Sequence, residues 1–502
     1  MLLINPPVMK PCEPPAGIAR LKGALDGHGV KCRLLDANLE GLLALLPSAK
    51  PGADRWSRRA VRNLAHHLAA LREAKTYRNL DRYKRAVHDL NRVLAAAAAN
   101  SARVSLGNYQ HPKLSPLSSA DLLRQAEKPE ENPFYPYFSK RLPEILEEQT
   151  VTVVGFSLTF LSQALCTFAM LGFLRRRFQH LTLVVGGGLM TSWMRKPAWR
   201  DPFAGLIDHL VDGPGEDRLL SLVGKNAEQR QVGRPRYEEL PLSQYLSPGV
   251  ILPYIASSGC YWNRCRFCPE RAEGNCYAPV PAPQAADNLD ALAARYQPVL
   301  IHLLDNALTP TLLEALCANP PGAPWYGFAR ITRHLQDEGL CRALKRSGCV
   351  LLKLGLESGD QRVLDQEQKG VELDVASKAL RSLKSSGIAT YIYLLFGTPA
   401  ETLESARKTL DFTVAHGQQI DYLNLAIFNL PIHSPDAQGL VKEAFDAGDL
   451  SLYSGFAHPR GWHRGLVRQF LDKEFTRHPV VASILRKDPP SFTSNHAPLF
   501  CL

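Results

Sequence analysis

The stretch from Ser257 to Pro269 reads SSGCYWNRCRFCP, and its three cysteines govern how the whole sequence is interpreted. Cys260, Cys265 and Cys268 follow the spacing C-x4-C-x2-C, directly after a candidate strand. Three closely spaced thiolates on one loop can bind three irons of a cubane, whereas electron-transfer ferredoxins close the cluster with a fourth cysteine. The fourth iron then stays open and can chelate the amino and carboxylate groups of a small molecule. The spacing therefore indicates a cluster that takes part in a reaction.

A structural zinc site is the alternative interpretation of the same cysteines. Zinc in such sites usually takes four protein ligands, and Cys276, eight residues after Cys268, could supply the fourth. The spacing alone does not decide between zinc and iron. The repeated strand and helix pattern around the cysteines favours the open iron–sulfur cluster.

The sequence after residue 250 alternates between strand and helix patterns. The helical stretches include Leu335–Lys345 and Leu373–Ser385. The six candidate strands are Tyr254–Ser257, Leu300–Leu304, Tyr326–Ile331, Val350–Leu356, Thr390–Phe396 and Tyr422–Phe428. Six repeated strand–helix units predict a partial (β/α)6 barrel similar to a TIM barrel, with its chemistry at the C-terminal ends of the strands.

The first 225 residues also alternate between strands and helices, which predicts a doubly wound, Rossmann-like parallel sheet. The candidate strands are Leu2–Asn5, Lys31–Leu35, Val151–Ser157, Leu181–Val185 and Asp208–Val211. Ligands of such sheets bind at the carboxyl ends of the strands. The small or polar residues expected in that crevice are Ser157, Thr159, Gly186, Gly187, Gly188, Gly213, Gly215 and Glu216.

The predicted organisation has four parts. Residues 1–225 form the first α/β domain, with a helical insertion at about 46–147, and residues 226–250 form a proline-containing linker. Residues 251–430 form the barrel, and residues 431–502 form a mostly helical or irregular extension. In the insertion we expect helices over Arg58–Glu73 and Arg82–Ala99, followed by a polar loop.

Composition sets limits on the class of protein. Of the 502 residues, 45% are hydrophobic and 21% are charged, which excludes a mainly disordered, collagenous or coiled-coil chain. The net charge of +11 permits an acidic partner. However, the basic block at 51–100 contains only three aromatic residues, so solvated helix faces are the preferred interpretation and nucleic acid is not expected as a partner.

The sequence also bears on location. The stretch from Thr150 to Leu174 carries no charge, but its polar residues and alternation predict a buried strand and helix instead of a membrane span. Met1 to Pro7 is too short for the apolar core of a secretory signal and is broken by proline. Reduced cysteines in a cytoplasmic protein are therefore expected.

Further motifs follow the cysteines in the chain. They are Leu354–Gly359 (LGLESG), with Leu364 and Lys369-Gly370 downstream, and Phe396–Thr402 (FGTPAET). Together with the cysteine loop, they resemble the barrel motifs of the radical S-adenosylmethionine (SAM) superfamily, and the first 225 residues resemble the cobalamin-binding domain of one of its branches. The family pattern is C-x3-C-x2-C, so this chain has one extra residue between its first two cysteines.

The resemblance implies a catalytic role for the cysteines as ligands of a 4Fe–4S cluster. SAM would bind the open iron, and its reductive cleavage would give a 5′-deoxyadenosyl radical. The residues implied in SAM or substrate contacts are Glu357, Gly355, Ser358, Asp305 and Arg330. An external one-electron reductant of the flavodoxin or ferredoxin type is also implied.

The resemblance further implies cobalamin as a second cofactor. Domains of this type often carry D-x-H-x-x-G, whose histidine ligates cobalt, and the matching run here contains Asp36, Asn38 and Gly41 as D-x-N-x-x-G. Asparagine is a poor cobalt ligand, so cobalamin would bind without a histidine beneath it. A doubly wound domain that has lost its ligand, or that binds a nucleotide, is the alternative.

The function implied is methylation of an unactivated carbon of a small molecule. A cobalamin-dependent relative that catalyses cyclisation, ring contraction or redox chemistry stays open, as does a metal-binding protein without catalytic activity. An RNA methylthiotransferase is discounted, because Cys12, Cys32 and Cys166 are scattered and the C-terminal segment shows no alternating strands. In that segment we interpret His433, Trp462, His463 and His496 as packing or surface residues in preference to substrate contacts.

Overall fold

The computed structural model describes the chain except for residues 53, 100, 148–150, 197, 226–232, 435–436, 438, 444–447, 491–496 and 501–502. His496 and part of the predicted linker therefore lie outside the described residues. The first 225 residues and the segment after residue 250 each contribute a parallel sheet.

The N-terminal sheet has five parallel strands: β1 (Leu2–Asn5), β2 (Arg33–Asp36), β3 (Val153–Ser157), β4 (Thr182–Gly186) and β5 (His209–Leu210). Their spatial order is β2-β1-β3-β4-β5. The chain leaves β1 towards one edge and β3 towards the other, so the crevice between these strands is the topological switch point at which such sheets bind ligands. The predicted doubly wound sheet is confirmed.

Helices cover both faces of this sheet. Their bounds are Ala16–Gly27, Ala37–Leu45, Leu161–Arg177, Gly188–Met194 and Glu216–Leu222. The uncharged stretch after residue 150 forms β3 and the helix Leu161–Arg177, whose residues from Gln163 to Leu174 are all buried. Within the described part of the chain, no helix combines the length and apolar character required to cross a bilayer.

The insertion between β2 and β3 is more ordered than the sequence indicated. It contains a hairpin (Arg103–Ser105 and Asn108–Gln110) and the helices Arg55–Arg62, Leu64–Leu71, Ala74–Tyr77, Leu80–Ala97, Ser119–Glu127 and Tyr135–Glu147. The single helix expected over Arg58–Glu73 is divided at Asn63, whose backbone leaves the helical region. The expected polar loop contains two helices, because Ser118 caps the first of them and Leu122 and Phe138 bury their apolar sides.

The second sheet has six parallel strands: β6 (Ile251–Tyr254), β7 (Leu300–Leu308), β8 (Trp325–Ala329), β9 (Cys349–Glu357), β10 (Ala389–Phe396) and β11 (Tyr422–Ile427). They lie in chain order, as expected for a partial barrel. The helices around them are Pro269–Ala272, Ala282–Tyr296, Pro310–Ala318, Glu338–Arg346, Gln361–Gln366, Leu373–Ser385 and Leu403–Ala415.

The first barrel strand lies three residues earlier than the sequence indicated. Ile251 pairs with Leu300 at the start of β7. The predicted end of the strand, Ser257, instead pairs with Pro279 in a short antiparallel bridge. This bridge brings both ends of the cysteine loop together beside the barrel mouth.

Side chains alternate between the two faces of the barrel strands. Ile301, Leu303 and Leu352 face the surrounding helices and belong to the main apolar core. The opposite face forms the barrel interior, where one apolar cluster contains Ile251, Leu300, Tyr326, Leu351, Ala389, Tyr391 and Tyr422. This cluster closes the barrel at the end opposite the cysteine loop.

The C-terminal segment packs on the barrel. It contains the helices Arg464–Phe470 and Pro479–Leu485, the single π turn Leu471–Phe475 and a small antiparallel sheet of Leu430–Pro431, Lys442–Glu443 and Tyr453–Phe456. Trp462 is buried and its indole donates to Glu401, while His463 caps the following helix. These roles agree with the packing interpretation of both residues.

Candidate active site at the mouth of the barrel

The three cysteines lie on the loop that joins β6 to the short helix Pro269–Ala272. Cys265 is buried, whereas Cys260 and Cys268 are partly exposed. Burial raises the pKa of the Cys265 thiol, and the Lys369 ammonium and the Arg330 guanidinium oppose this rise. Burial also raises the pKa of Cys268 to about 11. A bound metal would hold both as thiolates and release their protons.

Trp262 occupies the extra length between the first two cysteines. The loop turns at Asn263, which has a φ of 43°. The Trp262 indole donates to the carbonyl of Gln368 at 3.0 Å, and its ring lies directly on Gly370. Arg330 stacks on this ring as well. The longer spacing is therefore accommodated by a tryptophan anchor.

Asp305 and Arg330 hold the cysteine loop in place. The Asp305 carboxylate accepts hydrogen bonds from the hydroxyl of Ser257 and from the backbone N–H of Ala256. Arg330 donates to the carbonyl of Lys369 and lies 3.9 Å from the sulfur of Cys265. The partners that the structure shows for both residues belong to the protein, and their contact with SAM or substrate stays a prediction.

Glu357 ends β9 with a φ of 70°, in a region that non-glycine residues rarely adopt. Its carboxylate pairs with the Lys369 ammonium at 2.8 Å. A side chain at Gly355 would begin 2.5 Å from this carboxylate, so glycine is required there. Ser358, in contrast, is buried and hydrogen-bonded to Thr409 and to the Asp360 N–H, which points to a scaffold role.

A cavity of 770 Å³ joins the carboxyl edge of the N-terminal sheet to the cysteine loop. From the barrel side, Ser258, Gly259, Glu270 and Cys276 line it. From the N-terminal side, the predicted residues that line it are Ser157, Gly186, Gly187, Gly188, Gly213, Gly215 and Glu216. Position 187 requires glycine, because a Cβ there would lie 2.5 Å from the carbonyl oxygen of Leu158.

The residues of the D-x-N-x-x-G run are not among those that line this cavity, and their contact with the corrinoid stays a prediction. Asp36 is buried, caps the helix Ala37–Leu45 and accepts a hydrogen bond from the Tyr245 hydroxyl at 2.7 Å. Asn38 accepts the backbone N–H of Met9 at 2.8 Å. Gly41 packs against aromatic rings of the insertion. The side chains are thus used inside the protein.

Thr159 is also absent from the cavity wall. Its side chain is exposed, and its backbone N–H donates to Gln163 at the start of the helix Leu161–Arg177. The end of a strand predicts a position at the crevice only for the one or two residues that follow it, because the chain then turns away to begin the next helix.

The zinc alternative requires Cys276 beside the other three cysteines. Cys276 is exposed and its thiol faces the carbonyl of Gly274. Throughout the described residues, no group of three or more His, Cys, Asp or Glu side chains converges on a point that could hold a single metal ion. A cubane places each thiolate on a different iron and therefore needs sulfurs that are farther apart than one ion allows.

Several cavity residues gave no signal in the sequence. Arg20 pairs with Glu216 at 2.6 Å beside the cavity. Arg195 pairs with Asp212 and also donates to the carbonyl of Glu273, so it links the two sheets' loops. Tyr453 reaches the cavity from the C-terminal segment. Isolated arginines and a tyrosine carry no spacing pattern, so only the three-dimensional structure finds them.

Comparisons with known proteins agree with this geometry. A family model described as the radical SAM superfamily matches residues 254–413. An uncharacterized methyltransferase from Pyrococcus horikoshii is 27% identical over 201 residues, which are 38% of this chain and 43% of that protein. The anaerobic magnesium-protoporphyrin IX monomethyl ester cyclase of Rubrivivax gelatinosus is 25% identical over 251 residues, 46% of this chain and 44% of that enzyme. Each alignment thus covers less than half of the relative.

Solved structures match over a greater length. The radical SAM methyltransferase TsrM from Kitasatospora setae, with cobalamin and a 4Fe–4S cluster bound, aligns with a TM-score of 0.54 at 16% identity, over 97% of this chain and 91% of that one. TsrM with tryptophan substrate and the SAM analogue aza-SAM gives 0.55 at 15% identity, over 97% and 89%. At such identity the likeness shows the fold alone. Residues 254–413 therefore match the radical SAM superfamily, and the fold of the whole chain is similar to that of TsrM.

Proposed function

We propose that this protein is a radical SAM enzyme that uses cobalamin as a second cofactor and methylates an unactivated carbon of a small molecule. The observation that carries the proposal is the cavity shared by the cysteine loop and the carboxyl edge of the N-terminal sheet. Two cofactors bound on its two sides would face each other. This arrangement suits a reaction that needs both.

Cys260, Cys265 and Cys268 would hold a 4Fe–4S cluster. The cationic groups of Lys369 and Arg330 beside Cys265 favour the thiolate form that iron requires. When bound, the cluster and SAM would supply a one-electron cleavage that gives methionine and a 5′-deoxyadenosyl radical, and cobalamin would supply a methyl carrier. The protein's own contribution is to position these groups and to exclude water.

Glu357 and Lys369 would receive SAM. They offer one carboxylate and one ammonium at the mouth of the barrel, where the ends of parallel strands present functional groups. The amino group of SAM can take the place of Lys369 as a donor to Glu357. The Lys369 ammonium would then be released from Glu357 and could donate to an acceptor group of SAM.

The N-terminal wall of the cavity would receive cobalamin. Gly186, Gly187 and Gly188 allow the backbone to approach a large planar ligand closely. Among the described cavity residues there is no histidine, so a cobalt ligand of that type is not expected from this wall. The lower face of the corrinoid would meet small residues and backbone groups.

The remaining parts of the proposal concern partners and location. The reductant would be an external flavodoxin or ferredoxin, and nucleic acid is not expected as a partner. All ten described cysteines are free, which agrees with a reducing compartment and supports a cytoplasmic location. The domain limits at residues 225 and 251 stay a prediction.

A second candidate is radical chemistry that uses cobalamin without methyl transfer. The similarity to the anaerobic magnesium-protoporphyrin IX monomethyl ester cyclase over 251 residues favours it. The two candidates share the cysteine loop and the cavity. They differ in their products: methyl transfer consumes two SAM molecules and gives S-adenosylhomocysteine and 5′-deoxyadenosine, whereas the alternative gives 5′-deoxyadenosine alone.

The test combines metal analysis with product analysis on anaerobically purified protein. We expect iron and cobalt together in the wild type, and both nucleoside products once reductant and substrate are supplied. C265A should lose the cluster iron, while C276A, the matched control with an exposed thiol, should keep it. Iron retained by C265A, or lost from C276A, would contradict the assigned ligands. Protein without iron would exclude the function altogether.

A further inference from the structure

Three charged or polar groups meet inside the barrel, away from the cysteine loop. His302 on β7 and Lys353 on β9 project from the inner faces of their strands, and Glu13 reaches them from the loop that follows β1. We refer to Glu13, His302 and Lys353 as the interior triad. All three are largely or fully withdrawn from solvent, with His302 and Lys353 at 8% and 3% exposure.

Hydrogen bonding fixes the protonation of the triad. Nδ1 of His302 lies 2.9 and 3.0 Å from the two carboxylate oxygens of Glu13. A carboxylate only accepts, so Nδ1 carries the proton and Nε2 accepts from the Lys353 ammonium at 3.4 Å. Burial opposes the ionisation of Glu13, but His302 and Lys353 keep its pKa below the usual value. Burial lowers the pKa of His302, in agreement with a neutral ring.

The Lys353 ammonium is under-coordinated for a buried cation. Its single hydrogen-bond acceptor among the described residues is His302. Its other sides face aromatic rings, at 4.7 Å from the centroid of Phe328 and 5.2 Å from that of Tyr326. An ammonium has three N–H donors, so two of them have no hydrogen-bond acceptor among the described residues.

Positive charge exceeds negative charge around the triad. Lys10 from the β1 loop acts on both Glu13 and Lys353, and the thiol of Cys12 stays neutral because burial raises its pKa to about 12. Burial lowers the pKa of Lys353 to about 8 and also lowers that of Lys10, so an anion beside them would favour their charged forms. An unbalanced buried cation is destabilising unless an anion joins it, so the site is suited to an acidic ligand.

Side chains of the barrel interior between the triad and the mouth are only partly covered. Leu304 lies on the inner face of β7, two residues beyond His302, yet it is 36% exposed. Gly355, two residues beyond Lys353 on β9, has no side chain, and the Glu357 carboxylate and the Lys369 ammonium lie over it. Phe328 and Tyr393 are half-buried at this level, and their rings are 4.9 Å apart. Apolar side chains and the Glu357–Lys369 pair thus lie between the ammonium and the mouth.

We infer that Lys353 anchors a carboxylate of the substrate, and that the substrate is an organic acid with an apolar or aromatic body. This inference rests on the proposed function, since it treats the barrel interior as the place where the substrate binds. The carboxylate accepts from the two available N–H groups of Lys353. Its body lies against the half-buried rings of Phe328 and Tyr393, with the far end directed to the mouth and Glu357. His302 is a positioning residue that aims the ammonium, whereas the Glu13 carboxylate attracts the same ammonium and so competes with the ligand.

The test is equilibrium binding to the full-length, anaerobically reconstituted protein with SAM present, measured by isothermal titration calorimetry. The probes are 3-phenylpropionate and its neutral isostere 3-phenylpropionamide. We expect the wild type to prefer the carboxylate by about tenfold or more, because a charged hydrogen bond is lost with the amide. K353M should abolish this preference and K353R should keep it. K378M, a change at an exposed helix lysine, is the matched control.

A purely structural triad gives a different pattern. Its variants would lower the thermal unfolding midpoint without changing the preference between the two probes. E13Q provides a second test if K353M does not fold, since removal of the competing carboxylate should tighten 3-phenylpropionate binding several-fold. Equal or absent binding of the two probes by the wild type, a preference that survives in K353M, or weaker carboxylate binding by E13Q would overturn the inference.

The outcome is separable from that of the proposed function. Formation of 5′-deoxyadenosine by the wild type after addition of dithionite reports on SAM cleavage alone. If that product is absent while the carboxylate preference and its loss in K353M are observed, the proposed reaction fails and the anchor stands. If SAM is cleaved and no preference exists, the anchor fails and the reaction stands.

Discussion

Arg330 lies across Trp262, with 4.2 Å between its guanidinium carbon and the centroid of the indole ring. The same guanidinium approaches the sulfur of Cys265 at 3.9 Å. One arginine at the end of β8 therefore contacts both the tryptophan anchor and a cluster cysteine. Because Trp262 lies two residues after Cys260, this contact couples the path of the loop to the positions of the sulfurs.

Replacement of Trp262 should impair cluster assembly. W262A removes the stacking on Arg330 and the hydrogen bond to Gln368, which together are worth about 1–3 kcal/mol. W262F keeps a ring for stacking and should give an intermediate result. Iron per chain after anaerobic reconstitution is the measurement. W56A, at a tryptophan that is 59% exposed on the insertion, is the control and should bind iron like the wild type.

Gly370 gives a sharper test of the same anchor. G370A and G387A both place alanine at a positive φ, of 64° and 72°, which costs about 1–2 kcal/mol. The new methyl at 370 would also lie 2.2 Å from the Trp262 ring, whereas the closest atom at 387 is a lysine side-chain carbon at 3.8 Å. We expect both variants to unfold at lower temperature, but only G370A to lose iron. Equal iron content in the two would show that the ring can move without consequence.

The sequence predicted the framework well because its signals are repetitive. All five N-terminal strands and all six barrel strands lie within a few residues of their expected positions, since apolar runs alternate with helices throughout. The insertion was harder to predict. Its helices after Ser118 are short and polar on one side, and Pro143 lies inside one of them. The prolines suggested a loop, but this helix packs against the helix Leu161–Arg177, and the buried contact accommodates Pro143.

The site was predicted in part, for a related reason. Glycines that end β4 line the cavity because a parallel sheet aligns its strand ends. The interior triad could not be predicted, since Glu13, His302 and Lys353 are more than fifty residues apart and meet only when the β1 loop docks on the barrel. Asp36 and Asn38 illustrate a different limit of the sequence. A short motif can be recognised, but it does not reveal whether its side chains contact a ligand or other parts of the protein.

The turn at Phe396–Thr402 should make stability depend on pH through Glu401. This carboxyl is fully buried and accepts from the Trp462 indole and the Gly397 N–H, and burial raises its pKa from 4.5 to about 7. Between pH 4.5 and about 7, Glu401 therefore keeps its proton in the folded protein and loses it in the unfolded chain. The stabilisation is full below pH 4.5 and is lost as the pH rises through about 7.

E401Q removes this titration. Between pH 5 and pH 7, we expect the unfolding free energy of E401Q, relative to that of the wild type, to rise by about 1 kcal/mol per pH unit. Urea unfolding over a pH series is the measurement. E404Q, three residues away and with a side chain 76% exposed, is the control and should follow the wild type. A constant difference between E401Q and wild type across the series would contradict the raised pKa.

Gly188 tests the N-terminal wall of the cavity. A Cβ at Gly188 or at Gly27 meets no close contact, but only Gly188 lines the cavity. G188L should fill the space proposed for cobalamin and reduce retained cobalt about tenfold or more, because a leucine side chain cannot share the volume of the ligand. G27L should retain wild-type cobalt. The measurement is cobalt per chain after incubation with hydroxocobalamin and desalting, and equal retention would place the corrinoid elsewhere.

Asn38 should show the opposite behaviour to Gly188. Its side chain is 1% exposed and its oxygen accepts the Met9 N–H at 2.8 Å, so N38A leaves a partly buried donor without its partner. This loss costs about 1–3 kcal/mol and lowers the thermal unfolding midpoint. Because Asn38 lies outside the cavity, cobalt retention measured as for G188L should match the wild type. A variant that loses cobalt but keeps its stability would instead return the D-x-N-x-x-G run to the corrinoid site, and the scaffold role assigned to it would be wrong.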